Sequence, residues 1–155
     1  MSTLDKKDLG VSITNNVATV EIRRPPHNFF DIDLINQIAT TYEQLDAINE
    51  CRSILLCAEG KNFCAGANFG SSDKAEPTVS PQGALTNHLY REAVRIFRCK
   101  KPVVAAVQGA AIGGGLGLAV SADFRVTCPE GRFSANFTKL GFHPGFGLTL
   151  TLPEL

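Results

Sequence analysis

Residues 103–120 hold the feature that most constrains the fold. Val103-Val104-Ala105-Ala106-Val107 is a short apolar run, Gly109-Ala110-Ala111-Ile112-Gly113-Gly114-Gly115 follows it, and Leu116 to Val120 continues without a polar side chain. A buried strand, a glycine turn and a buried helix in that order need cover from other elements. With the further strands and helices below, they predict an α/β fold with parallel strands and right-handed crossovers.

The rest of the chain supplies those elements. Val11 to Ile22 alternates apolar and polar residues around Asn15-Asn16, a hairpin signal. After Pro25-Pro26, Asp31 or Asp33 can cap a helix through Leu34, Ile35, Ile38, Tyr42 and Leu45 to about Asn49. Arg52 to Ala58 reads as a strand covered on both faces. A flexible loop is expected from Gly66 to Gly83, then a second amphipathic helix bearing Leu85, Leu89, Ala93, Ile96 and Phe97. Phe124 to Thr127 and Arg132 to Ala135 are further short strands, and Gly145 to Leu155 looks like the start of a helix. One domain over residues 1–155 is expected, with the chain stopping inside it.

Composition narrows the function. The chain has 155 residues with 15 Lys and Arg against 15 Asp and Glu, 44% hydrophobic and 19% charged. That is too apolar for a disordered segment, and neutrality removes the case for nucleic acid or a basic membrane-surface partner. No apolar run approaches the roughly 20 residues of a membrane span, and no signal sequence follows the mixed-charge start, so a cytoplasmic location is expected. Cys51, Cys57, Cys64, Cys99 and Cys128 lack C-x-x-C pairing and read as reduced, buried small hydrophobes. His27, His88 and His143 are too scattered for a metal site, so no metal is expected. The basic cluster Arg91, Arg95, Arg98, Lys100 and Lys101 reads as a solvated helix end. The phenylalanines at 63, 69, 97, 124, 133, 137, 142 and 146 read as core, with Phe137 and Phe142 candidates for an acyl pocket.

Two turns could carry chemistry. The Gly113-Gly114-Gly115 turn lets a ligand approach the backbone and points helix N-terminal amides at it, which suits an anion; tight packing is the steric alternative. Neither a Walker lysine nor a G-x-G-x-x-G pattern is present. Phe63 to Phe69 is a second small-residue turn that could aim an amide into the same space, making an oxyanion hole.

Lys61-Asn62-Phe63-Cys64-Ala65-Gly66-Ala67-Asn68-Phe69, the Lys101 to Gly115 segment and Ser121-Ala122-Asp123-Phe124-Arg125 together resemble the crotonase superfamily of enoyl-CoA hydratases and isomerases. The resemblance runs from about residue 10 to the end and covers roughly the first 60% of a family domain. It implies a spiral of β-β-α units without the C-terminal helical part. It also implies an acyl-CoA thioester as substrate, coenzyme A as the only cofactor-like group, and a homo-oligomer, trimer or dimer of trimers. Carried onto this chain, the oxyanion donors are the amides of Ala67 and Gly114. Substrate contacts fall on Asn28, Phe29, Ala65, Gly66, Asn68, Phe69, Ala111, Gly113 and Phe137, with Asn68 where the family usually has Asp.

The acid and base residues depart from the pattern. Hydratases carry two glutamates; the matching positions here are Gly117 and Phe137. Gly117 resembles aroyl-CoA dehalogenases, but their nucleophilic Asp matches Gly145. His143, of a side-chain type suited to proton transfer at neutral pH, is the remaining candidate acid or base, with His88 a second. His27 beside Pro26 reads as an exposed loop residue. The expected function is thioester enolate stabilisation. The alternatives are a non-catalytic acyl-CoA-binding or scaffolding subunit and a different CoA-thioester reaction: isomerisation, C–C cleavage or hydrolysis.

Overall fold

Asn15 and Asn16 take positive φ angles of 49° and 67°, which a two-residue hairpin turn demands and Asn tolerates. Strand β1 (Leu9–Thr14) therefore folds back antiparallel on β2 (Val17–Ile22), with Val11 opposite Val20. The computed structural model describes residues 4–67, 78–79, 85–86 and 88–155. Helix α1 (Ile32–Asp46) starts at Asp31, whose carboxylate accepts from the Leu34 N–H at 2.8 Å. Such a cap contributes about 1 kcal/mol. The helix ends three residues earlier than the sequence suggests, where Lys101 Nζ donates to the carbonyls of Leu45 and Ile48, which also accept the N–H groups of Ile48 and Cys51.

After α1 come β3 (Ser53–Ala58), two short paired strands β4 (Thr78–Val79) and β5 (Leu85–Thr86), α2 (His88–Ile96) and β6 (Val103–Val107). They are followed by β7 (Ala110–Ile112), α3 (Gly114–Val120), β8 (Phe124–Thr127), β9 (Arg132–Ser134), a 3-10 turn (Asn136–Leu140) and α4 (Leu148–Thr151). The main sheet has the order β1-β2-β3-β6-β8, parallel from β2 onward. Asp123 fixes its last strand: its carboxylate accepts from Val103 N–H at 2.8 Å while its own N–H donates to Val103 O at 3.0 Å. A second layer pairs β7 with β9 in parallel, and isolated bridges join Cys64 to Ala111 and Phe30 to Ala67. The sequence reading ran straight from the apolar strand through the glycines to α3; β7 is the additional strand between them.

Ala18, Val20 and Ile22 of β2, Ile54 and Leu56 of β3, and Val103, Ala105 and Val107 of β6 are buried in one core with Leu34, Ile35, Ile38, Tyr42 and Leu45 of α1. Several expectations are corrected here. In β3 and β6 only alternate residues are fully buried, and Leu55, Val104 and Ala106 are half-buried, so one face of these strands is only partly covered. Leu85 lies on β5 because α2 begins only at His88. Phe63 and Phe146 are core, but Phe97, Phe124, Phe133 and Phe142 are exposed. For Phe124 and Phe133 the cause is topological, since β8 is the sheet edge and β9 pairs only with β7. Cys51 and Cys64 are buried, whereas Cys57, Cys99 and Cys128 are half-buried. Burial pushes the Cys64 thiol up to about 12 and Cys99 to about 11, which keeps both protonated and unreactive. Arg95 is not merely solvated either: it pairs with Glu43 and Glu92, tying α2 to α1. Most of the Gly66 to Gly83 loop lies outside the described residues.

Arg24 anchors the N-terminal end of α1. Its guanidinium reaches Asp8 at 2.7 Å and Asp31 at 2.8 Å, and Gln37 adds a 3.0 Å bond to Asp8. The Arg24 hydrogen bond holds the Asp8 carboxyl below its ordinary value near 3.8. A lowered folded-state value means that the unfolded chain binds the proton first. The stabilisation is thus complete above about pH 4 and is lost as pH falls through the folded value. Urea midpoints measured from pH 5 down to pH 2 should fall on this limb, and Asp8→Asn should flatten it; an unchanged limb would remove Asp8 as a cause.

Among the described residues no helix is long and apolar enough to cross a membrane, and no group of three His, Cys, Asp or Glu is placed to hold a metal.

Candidate functional site

Two side-chain amides, the buried Asn28 and the half-buried Gln108, hold the segment that leads into the first turn. Asn28, at φ 50°, donates through Nδ2 to the carbonyls of Glu59 (2.8 Å) and Asn62 (2.7 Å) and accepts Arg24 N–H at 2.9 Å. Gln108 Nε2 donates to Ala58 O at 2.8 Å and Gly60 O at 3.0 Å. The segment they hold runs into Cys64, whose N–H donates to Ala110 O (2.8 Å) and whose carbonyl accepts from Ile112 (3.0 Å). Ala65 N–H is spent on His27 O, and Gly66 O on Phe30 N–H. The next amide, that of Ala67, donates to no described residue.

The second turn follows β7 directly. Gly113 sits at φ 56°, ψ −120°, a conformation costly for any residue with a Cβ, and donates its N–H to Ser134 O at 2.8 Å. This turn delivers Gly114 as the first residue of α3, where an N–H has no carbonyl of its own helix to bond. The Phe30 ring packs against Gly114, leaving no room for a Cβ there.

Ala67 and Gly114 open onto one cavity of about 560 Å³. Phe29, Ala65, Gly66, Gly113, Phe137 and His143 also line it, so the structure brings together most of the residues singled out from sequence. Asn28 and Ala111 are corrections. Both are wholly inaccessible, Asn28 because its side chain is consumed by the clamp and Ala111 because it is packed in the core beneath the turn. They position the site and cannot touch a ligand. Asn68 and Phe69 lie outside the described residues.

The proton-transfer inventory is short. Among the described residues no Asp or Glu lines the cavity; the titratable side chains there are Tyr90 and His143. His143 is exposed, with Nδ1 2.8 Å from Pro144 O. A carbonyl can only accept, so this contact places the proton on Nδ1 and leaves Nε2 as the basic nitrogen. His88 opens α2, and its side chain is outside the described residues. At Gly117 the space is occupied: a Cβ there would lie 2.5 Å from Phe146 Cβ.

Tyr90 and Asn136 are cavity residues that sequence reasoning missed. Tyr90 lies off the core stripe of α2, but Tyr90, Val94 and Phe97 recur along its flank and are all partly exposed, at 41%, 48% and 41%. That second apolar stripe was the available signal. Partial burial raises the Tyr90 phenol above its ordinary value.

A mixed β-sheet, parallel from β2 onward, with two such turns beside an apolar cavity is the arrangement of a crotonase-type α/β protein. Residues 12–155 match the profile of the enoyl-CoA hydratase/isomerase family, and the chain belongs to that family. It is 33% identical over 148 residues to a probable enoyl-CoA hydratase of Mycobacterium tuberculosis, covering 92% of this chain and 55% of that protein. It is 35% identical over 143 residues to a short-chain-enoyl-CoA hydratase of Clostridium acetobutylicum, covering 90% of this chain and 53% of the relative. The crystal structure of an enoyl-CoA hydratase/isomerase from Pseudoalteromonas atlantica superposes with a TM-score of 0.82 at 32% identity, over 96% of this chain and 57% of that one. The chain thus spans just over half the length of the relatives it matches.

Proposed function

We propose that this chain binds an acyl-CoA thioester and stabilises the thioester enolate through the amides of Ala67 and Gly114. The observation that carries the reading is that Ala67 and Gly114 line one cavity and that their N–H groups donate to no described residue. Fixed donors aimed at a developing oxyanion act in an apolar, water-poor site without reorganisation, and removing one typically costs about 3 kcal/mol of barrier. Coenzyme A enters as part of the substrate, and no prosthetic group is required by this chemistry. His143 Nε2 is the candidate acid or base. Hydration by a pair of glutamates is disfavoured, because Phe146 fills the space over Gly117 and Phe137 stands at the second position.

A second reading, a non-catalytic acyl-CoA-binding subunit, is favoured by the lack of any carboxylate among the described cavity residues. Calorimetric titration with CoA and with crotonyl-CoA, monitored for turnover in the same cell, separates the two. Saturable binding with turnover that His143→Ala abolishes supports the enzyme; saturable binding with no turnover supports the binding subunit; a folded chain that binds neither overturns both. The reading also includes self-association, supported by the 64% and 62% exposure of Phe124 and Val126 on the edge strand.

A further inference from the structure

We propose that the cavity takes an aromatic acyl group bearing an oxygen on its ring, recognised by the Tyr90 hydroxyl; this rests on the acyl-CoA reading above. Phe29, Phe30, Phe137, Phe142 and Phe146 line the cavity, and Tyr90 is the sixth ring. Phe30 and Phe146 meet edge to face with centroids 6.0 Å apart at 61°. A wall of this kind offers ring-to-ring contacts that a short alkyl chain cannot return.

The position of the phenol is built into the backbone. A Cβ at position 145 would lie 2.0 Å from the Tyr90 hydroxyl oxygen, so only glycine admits the phenol to this place. Gly114 packs on Phe30 and the Tyr90 hydroxyl on Gly145, so the hydroxyl and the proposed thioester end have different neighbours. The Asn136 amide belongs to that other end, since its Oδ1 would stand 3.2 Å from a Cβ on Gly113. Tyr90 has no hydrogen bond to a described residue. While the cavity is open, solvent can satisfy a phenol; a bare apolar ring that fills the cavity leaves it unpaired, and that is costly. An oxygen on the ring removes the cost, so the hydroxyl selects for it.

The test is calorimetric titration of the full chain with three saturated thioesters: butanoyl-CoA, 3-phenylpropanoyl-CoA and 3-(4-hydroxyphenyl)propanoyl-CoA. Phenylpropanoyl-CoA should bind about tenfold more tightly than butanoyl-CoA, and the ring hydroxyl should add a further tenfold or so. Tyr90→Phe should erase the hydroxyl increment. Gly145→Ala should do the same by displacing the end of the Tyr90 side chain. Equal affinity for the butanoyl and phenylpropanoyl thioesters, or a hydroxyl increment that survives Tyr90→Phe, overturns the proposal and leaves acyl-CoA binding standing. Failure of all three thioesters to bind a folded chain overturns the acyl-CoA reading and this proposal with it.

Discussion

Gly117→Glu should destabilise the chain by roughly 3–5 kcal/mol and restore no hydratase activity, because overpacking and an unpaired buried carboxylate act together. A Cβ at this position would lie 2.5 Å from Cβ and 2.8 Å from Cγ of Phe146. Those atoms are the root of a side chain only 2% exposed, so it cannot swing clear as a surface group would. Gly117→Ala isolates the steric part. In an unhindered helix interior Gly→Ala stabilises by up to about 1 kcal/mol; here the sign should reverse, to a loss of about 1–3 kcal/mol. Urea unfolding reads the difference, and a double-mutant cycle with Phe146→Gly assigns it, since the alanine at 117 should become neutral or favourable once the Phe146 Cβ and ring are both gone. A stabilised single Gly117→Ala variant would mean that Phe146 does not fill this space. The substitution at 117 therefore belongs to a repacked site. A carboxylate here requires a different residue at 146 as well.

That pairing shows where sequence reading stops. The hairpin, a helix cap at Asp31 or Asp33, most of the strands and helices in their order and the two turns are legible because each is specified by neighbours in the chain: Asn-Asn at a turn, a short acid before an apolar periodicity, glycines after a strand. The same holds for the placement of Ala67 and Gly114, because the role proposed for them resides in backbone amides that a turn fixes locally. Asn28 was misjudged as a ligand contact because the carbonyls that consume its amide come from residues 59 and 62, more than thirty positions away. Tyr90 escapes a local reading for the same reason, as its hydroxyl packs against Gly145, far along the chain. Exposure of Phe124 and Phe133 follows from strand order, which alternation of residues within a strand does not encode. Local grammar fixes the two turns, whereas which side chains line the cavity between them depends on contacts between distant segments.

The largest effect on chemistry is expected from Ala67→Pro. Proline removes the one N–H at issue, and because that amide donates to no described residue, no fold hydrogen bond among them goes with it. Gly114 is a poorer target, since any Cβ there would come within 2.2 Å of the buried Phe30 ring. If the two amides polarise the thioester, turnover should fall by about 10²–10³, the range for losing one oxyanion donor. The affinity for CoA itself should move little, because free CoA ends in a thiol and brings no carbonyl oxygen to this amide. A readout independent of proton transfer is the carbonyl stretch of bound crotonyl-CoA, which a polarising hole lowers and Ala67→Pro should return toward its value in solution. Ala67→Gly, which keeps the N–H, should retain the lowered frequency. A folded Ala67→Pro chain with the parental frequency would show that this amide does not reach the thioester. If the frequency shifts while parent and variant alike lack turnover, the chain binds and polarises its substrate without completing a reaction, and the non-catalytic reading stands.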